Sequence, residues 1–461
     1  MPSTLIRGGG ESPLGVVIAG AGVAGLEALL ALHRLAGPRA RVELVTPEEE
    51  FVYRPLAVAE PFRLASPARV DIRGLAERQG ARLRRDALAG LDPEHRVVHL
   101  KSGRMLRYEA LVIAIGTQPV EAVHGSLTFR GPADVAAFGE LLAELERGEV
   151  RGVTFALHGR APWPLPLYEL ALLSAAHLEG LRAPRAAWRF VTHERAPLEM
   201  FGARASAEVA GLLEEAGIEF LGRRAPHLVR DGRLVFEDGD ELEAERVVAL
   251  PELRVPYLPG VPRGPGGFIP TDEFGRVKGV PWVFAAGDAT SFPVKQGGLA
   301  AQQADTVAAE IAALAGVAVE RSAADLRLRA ALLTGSAPRF LRASLRDRET
   351  TSTAGRNVLW WPPGKIAARY LAPYLAGRVG DDGEPPTLAD VETDLSEVAE
   401  ADREDAVELA LTMADADAGS EDYDGALRWL AVVEKLNVTV PPAYADKREE
   451  WHRLALSDAC A

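Results

Sequence analysis

Gly15-Val-Val-Ile-Ala19 runs directly into Gly20-Ala-Gly22-Val-Ala-Gly25, and a helical pattern follows from Leu26 to Leu35. A continuous β-branched run suits a parallel strand buried on both faces. The glycines then form GxGxxG between strand and helix, the context in which that triplet carries meaning. Gly20 permits the tight turn, Gly22 admits a pyrophosphate to the backbone, and Gly25 lets helix and strand pack closely, with Ala24 beside it at the helix start. Free N–H groups and the helix dipole at that end favour phosphate. The stretch therefore predicts a βαβ dinucleotide site near the start of the chain.

Arg41-Val-Glu-Leu-Val45 follows as the second strand. An acid about 20 residues beyond the glycines ordinarily binds the adenosine ribose. Thr46 and Pro47 stand at that point and Glu48, Glu49 and Glu50 come just after, so Thr46 or Glu48 is the candidate for that contact.

Two distant stretches repeat the strand-then-turn theme: Leu111-Val-Ile-Ala114-Ile-Gly116-Thr-Gln-Pro119 and Trp282-Val-Phe-Ala-Ala-Gly287-Asp288-Ala. With the glycine triplet, they resemble the three fingerprints of the two-dinucleotide-binding-domain flavoproteins, the pyridine nucleotide–disulfide oxidoreductase superfamily. The resemblance implies an α/β fold of two Rossmann-like domains, the second inserted in the first, binding FAD non-covalently. It puts Ala114 and Gly116 in the turn that approaches the cofactor, and Gly287 and Asp288 at the flavin ribitol. It divides the chain into a flexible 1–13, an FAD-binding domain of 14–125 and 265–320, an inserted domain of 126–264 and a C-terminal interface domain of 321–380. An acidic linker of 381–402 and a helical-pair tail of 403–461 complete it.

After Asp288 come Pro293, Lys295, Gln296 and two glycines, then a helical run to about Ala315. The resemblance sets this helix start beside the flavin pyrimidine edge, where a helix N-terminus stabilises negative charge. Lys295, with Gln296, is the candidate that tunes the ring. Phe51-Val-Tyr53-Arg54-Pro55-Leu56 is similar to the loop that passes near the cofactor in these enzymes. Arg54 meets a phosphate or the ring, or else forms a surface ion pair.

In the inserted domain, the strand Gly152-Val-Thr-Phe-Ala-Leu157 leads to His158-Gly-Arg-Ala-Pro162-Trp163-Pro164-Leu-Pro166-Leu-Tyr168-Glu169. Prolines lack N–H donors, so this turn does not build the usual nicotinamide-nucleotide cradle, and NAD(P)H enters only through an unconventional pocket. The turn, and the later Phe190-Val-Thr-His193-Glu194, resemble sulfide:quinone oxidoreductase. Such enzymes attack sulfide with cysteines; here the single cysteine is Cys460, which excludes that route, any intrachain disulfide and a multi-cysteine metal site. No metal ligand set is expected. His158 and Glu169, with His193, are the polar candidates for proton transfer from this side.

Farther on, Pro363 precedes an expected helix with Ile366, Tyr370 and Tyr374 on one stripe and Lys365, Arg369 and Arg378 elsewhere, a pattern that fits core packing, a quinone site or a membrane surface. Of the net charge of −14, the segment 381–424 alone holds 17 acids against one arginine. So acidic a segment excludes a nucleic-acid surface there. Arg403–Ala414 and Asp422–Asn437 are amphipathic helical patterns, the second similar to half of a tetratricopeptide unit. One pair cannot bury its own face, so the tail folds back, supports a homodimer or docks to a protein partner. Neither a secretory leader nor a membrane-spanning stretch is read, and a cytoplasmic location is expected.

The leading expectation is an FAD-dependent oxidoreductase that moves electrons from a soluble donor to a quinone-like acceptor without cysteine chemistry. The alternatives are a type II NADH dehydrogenase with an atypical nicotinamide site, and a flavin-bearing regulatory or interaction protein.

Overall fold

Strands Val283–Ala285, Ala110–Ile113, Leu14–Ala19, Ala40–Thr46 and Arg82–Arg85 lie side by side in that order, every neighbouring pair parallel. In chain order this is 3-2-1-4-5 reversed, the doubly wound arrangement. The order turns back between Leu14–Ala19 and Ala110–Ile113, so the glycine loop and the Ala114 turn leave the sheet on either side of the switch point. Helices Val23–Ala36 and Gly297–Leu314 pack on one face, where Ala28, Ala301, Ala304 and Ala308 bring the two helices together. Apolar residues of alternate parity, Val17, Ala19, Leu111 and Ile113, serve the core on the other face.

The computed structural model describes residues 12–345 except 320, 324 and 325, then 352–356, 360 and 364–379, and in the tail 407, 410, 411, 414, 415, 418, 423–436 and 439–458. The acidic linker 381–402, the extreme N-terminus and Cys460 lie outside the described residues.

A second parallel sheet follows the order Leu127–Thr128, Arg246–Ala249, Gly152–Leu157, Ala187–Thr192, Ile218–Leu221. Both sheets are thus Rossmann-like, and the second is contributed by chain between strands of the first. An antiparallel sheet of Arg327–Leu332, Arg339–Ser344 and Thr353–Gly355 shares one core with the second sheet, to which Leu328 and Leu341 contribute alongside Leu172 and Phe190.

Two expectations about the C-terminal third need correction. The helix after Pro363 begins only at Leu371 and runs to Val379. Residues 364–370 are neither helix nor strand, because the N–H groups of Tyr370 and Leu371 bond to the Glu27 carboxylate instead of to a preceding turn. The tail holds more than one helical pair: 407–418 are helical at their described positions, and Tyr423–Lys435 and Ala443–Asp458 follow. Val407, Ala414, Trp429, Leu430, Val433 and Trp451 form a separate small core. The third helix was hidden because charged residues crowd it and Tyr444 and Trp451 do most of its apolar packing. No helix among the described residues is long and apolar enough to cross a membrane.

Candidate active site

At the switch point, backbone meets backbone. Gly20 has φ +110°, and a Cβ there would lie 2.2 Å from the Ala114 carbonyl oxygen; one on Gly25 would lie 1.9 Å from that of Gly20. Gly287, at the end of the last strand, meets Ala24 and Ala300, and its N–H bonds to Gln303 Oε1 at 2.8 Å. The structure therefore brings together all three fingerprint turns. Gly22 is different: a Cβ there meets nothing within 4 Å, and no side chain caps the helix it begins. Open space in front of uncapped helical N–H groups, walled by glycines that cannot be anything else, is a cradle that fits a dinucleotide pyrophosphate. Gly116, φ +64°, faces the same kind of open space.

Thr46 is buried at the end of the second strand, where its hydroxyl accepts the Glu48 N–H at 3.2 Å; Glu48 itself is exposed. Asp288 is half-buried, and burial raises its carboxyl above the usual range while Lys295 and Arg54 pull it back. Arg54, Asp288 and Lys295 are thus one electrostatic group. Lys295 is 7 % exposed. Its ammonium donates to the carbonyls of Thr290 and Phe292 and sits 4.1 Å from the centre of the Phe268 ring. Burial lowers its pKa to about 8, against the opposing pull of Asp288. Gln296 caps helix Gly297–Leu314: its Oε1 accepts the Leu299 N–H at 2.9 Å and its Nε2 donates to the Arg329 carbonyl.

Glu169, on helix Leu165–Leu181 of the second sheet's layer, is wholly buried. Both its oxygens bond the Lys365 ammonium, and Oε1 also accepts the Leu333 N–H at 2.9 Å. Burial pushes the carboxyl up and the ammonium down, so the two proton affinities approach each other. Next to Lys365, Ile366 covers the start of helix Gly297–Leu314, 3.0 Å from where a Gly297 Cβ would be. Lys365 is therefore one residue along the chain from the contact at that helix start.

The second switch point looks different. His158, at the end of Gly152–Leu157, is 2 % exposed; its Nδ1 accepts the Arg160 N–H, and burial with the nearby Arg160 lowers its pKa. His193 is exposed and lies against Gly159. Glu194, where a ribose-binding acid would stand in a nucleotide site, turns inward: it accepts from Tyr168 at 2.6 Å and Thr192 at 3.1 Å, and burial raises it to about 7. Trp163 packs against Phe201.

Sequence reasoning missed Lys365 as the partner of Glu169, and Glu27 and Tyr53 as anchors of residues 364–371. Only Glu27 gave a signal, as a lone carboxylate in the apolar stretch Leu14 to Leu32.

The pyridine nucleotide-disulphide oxidoreductase family matches this chain over residues 14–147 and 176–311. Among solved structures, the sulfide:quinone oxidoreductase of the hyperthermophilic bacterium Aquifex aeolicus aligns over 74 % of this chain and 87 % of its own, with TM-score 0.68 at 18 % identity. The ferredoxin reductase of the CYP199A2 system from Rhodopseudomonas palustris covers 72 % and 82 %, with TM-score 0.52 at 20 % identity. NDH2 from Plasmodium falciparum covers 60 % and 64 %, with TM-score 0.50 at 15 % identity. At these identities the likeness is one of fold. The family match takes in more than half of the sequence and every fingerprint turn, so the chain belongs to the pyridine nucleotide-disulphide oxidoreductase family and is an FAD-dependent oxidoreductase.

Proposed function

We propose that this enzyme passes electrons from a small soluble donor to a quinone-like acceptor without a thiol step. The observation that carries the reading is the buried Glu169–Lys365 pair, whose lysine immediately precedes Ile366, the residue packed on the start of helix Gly297–Leu314. Reducing a quinone consumes protons as well as electrons, so its site needs a proton held away from bulk water and ready to leave. A carboxyl and an amine with converging proton affinities meet that need. The similarity to a sulfide:quinone oxidoreductase supports this acceptor class, while a chain with one cysteine lacks the thiols for attack on sulfide.

FAD, when bound, supplies the electron chemistry. The chain's own residues bind and orient it. Gly20, Gly22, Ala24 and Gly25 receive the pyrophosphate, and Ala114 and Gly116 give close approach. Exposed Glu48, rather than Thr46, takes the ribose. Gly287 and Asp288 take the ribitol, Arg54 a phosphate or the ring edge. Lys295 acts through its field and Gln296 as the cap that fixes the helix start. His158, buried and bonded locally, belongs to the fabric of the inserted sheet. Because Glu194 is committed to Tyr168, nicotinamide nucleotide is not the donor at an orthodox site. The two parallel sheets support dividing the chain into a flavin domain of 14–125 with 265–320 and an inserted domain of 126–264, followed by an interface domain of 321–380.

Anaerobic reduction with dithionite, followed by mixing with a water-soluble benzoquinone, tests the reading. Rapid recovery of the oxidised flavin spectrum is expected, with Glu169→Gln slowing it roughly 100-fold or more, as for loss of a general acid. Rapid bleaching of the oxidised protein by NADH at micromolar concentration would instead identify a nicotinamide-driven enzyme.

A further inference from the structure

Residues 364–371 form a strap whose course is fixed almost entirely by side chains from elsewhere. The Gly364 carbonyl accepts the Trp360 indole N–H at 2.9 Å. Lys365 is held by Glu169. The Ile366 N–H bonds to the Tyr53 hydroxyl at 2.9 Å, and the Tyr370 and Leu371 N–H groups bond to Glu27 at 2.9 and 2.6 Å. Apart from Trp360, which lies just before the strap in the chain, those anchors come from the flavin and inserted layers. The remaining one comes from the tail: Arg369 donates to Asp415 at 2.6 Å. Asp415 also accepts from Tyr444 at 2.8 Å and Lys447 at 2.7 Å, so one carboxylate ties the strap to two helical segments of the tail. Charge-assisted bonds of this kind are the strong ones, and here they join two bodies with separate cores.

We propose that the C-terminal helical unit is a clasp for this strap, and that Asp415 is the positioning residue through which it holds Lys365 and Ile366 over the start of helix Gly297–Leu314. The statement that the strap closes the acceptor side rests on the quinone reading above; the mechanical link does not. A strap with no ladder of its own opens locally when an anchor is removed, because few backbone bonds oppose the opening. Releasing the clasp therefore frees the segment that carries the proton pair while the flavin cradle stays intact.

Hydrogen–deuterium exchange on the full-length, flavin-loaded protein tests the link. Asp415→Asn is expected to speed exchange of the amides of Ile366, Tyr370 and Leu371 roughly tenfold or more, and Asp415→Glu to restore protection. Arg369→Gln leaves Asp415 with Tyr444 and Lys447, so it loosens the strap with the tail still folded, as protection across Tyr423–Lys435 will report. Arg448→Ala, which removes a surface pair with Glu434, leaves strap exchange as in wild type. In reoxidation by a water-soluble benzoquinone, Arg369→Gln raises the half-saturating quinone concentration several-fold and lowers the limiting rate far less than Glu169→Gln does. Unchanged strap exchange in Arg369→Gln overturns the clasp. Failure of wild-type reduced protein to react with the quinone overturns the acceptor reading alone, since the exchange result stands without it.

Discussion

Asp288 and the glycines around it are the residues proposed to seat the cofactor, and they differ in what a single atom would do. Asp288→Ala removes the carboxylate that Arg54 and Lys295 face, and is expected to strip FAD; absorbance near 450 nm after gel filtration reads the outcome, and a variant still yellow contradicts the ribitol assignment. Gly25→Ala drives a methyl into the Gly20 carbonyl, an overlap of backbone on backbone that nothing flexible can relieve. It should cost about 1–3 kcal/mol or more in denaturant melts, along with the pigment. Lys295 makes a pH prediction. With a folded pKa of about 8 and an ordinary value of 10.5, the native state binds fewer protons than the unfolded chain between those values, so stability climbs across that window. Lys295→Met flattens the climb. It also moves the flavin midpoint to more negative potential, by about 30 mV for each 1.4 kcal/mol of lost electrostatic stabilisation in a two-electron couple.

At the level of elements, the proton pair bridges helix Leu165–Leu181 and the strap. Glu169→Ala leaves the Lys365 ammonium buried and alone, a loss of about 3–5 kcal/mol, whereas the double replacement Glu169→Leu with Lys365→Met recovers most of it. Equilibrium urea melts of the three proteins test the coupling. This pair also marks how far sequence reasoning reaches. The glycine triplet, the Ala114 turn and the Gly287–Asp288 turn were legible because each couples a backbone requirement to its own few residues. The helix Val23–Ala36 and the helix Gly297–Leu314 were legible for the same reason: local period and local glycine. Residues 364–370 were not. Their apolar and aromatic spacing reads as helix, and the reason they are not helical is Glu27, which lies 343 residues before Tyr370 in the chain. Likewise, Glu194 shows no sign in sequence that it has turned from solvent toward Tyr168; that choice depends on the burial of a tyrosine one helix away.

Over the whole molecule, two doubly wound sheets share a plan but not a chemistry. The first keeps open space in front of its glycines; the second fills the matching place with Trp163, Pro164 and a committed Glu194. Glu194→Gln replaces one carboxylate oxygen of the network with Tyr168 and Thr192 and is expected neither to create nor to abolish NADH response. Stopped-flow mixing with NADH before and after the substitution checks this. Glu27, on the first helix, faces Asp305, on helix Gly297–Leu314, and one oxygen of Asp305 has no hydrogen-bond partner among the described residues. Burial and the facing carboxylate lift Asp305 well above its ordinary value, so the pair is expected to keep a proton in the dry space between the helices. An acid whose native pKa is raised favours folding most at low pH and loses that contribution as the pH climbs through the native value. The Asp305 contribution therefore favours mildly sour buffers, opposite in sign to the Lys295 contribution at alkaline pH, and Asp305→Asn, which needs no such captive hydrogen, should flatten the acid-side slope alone.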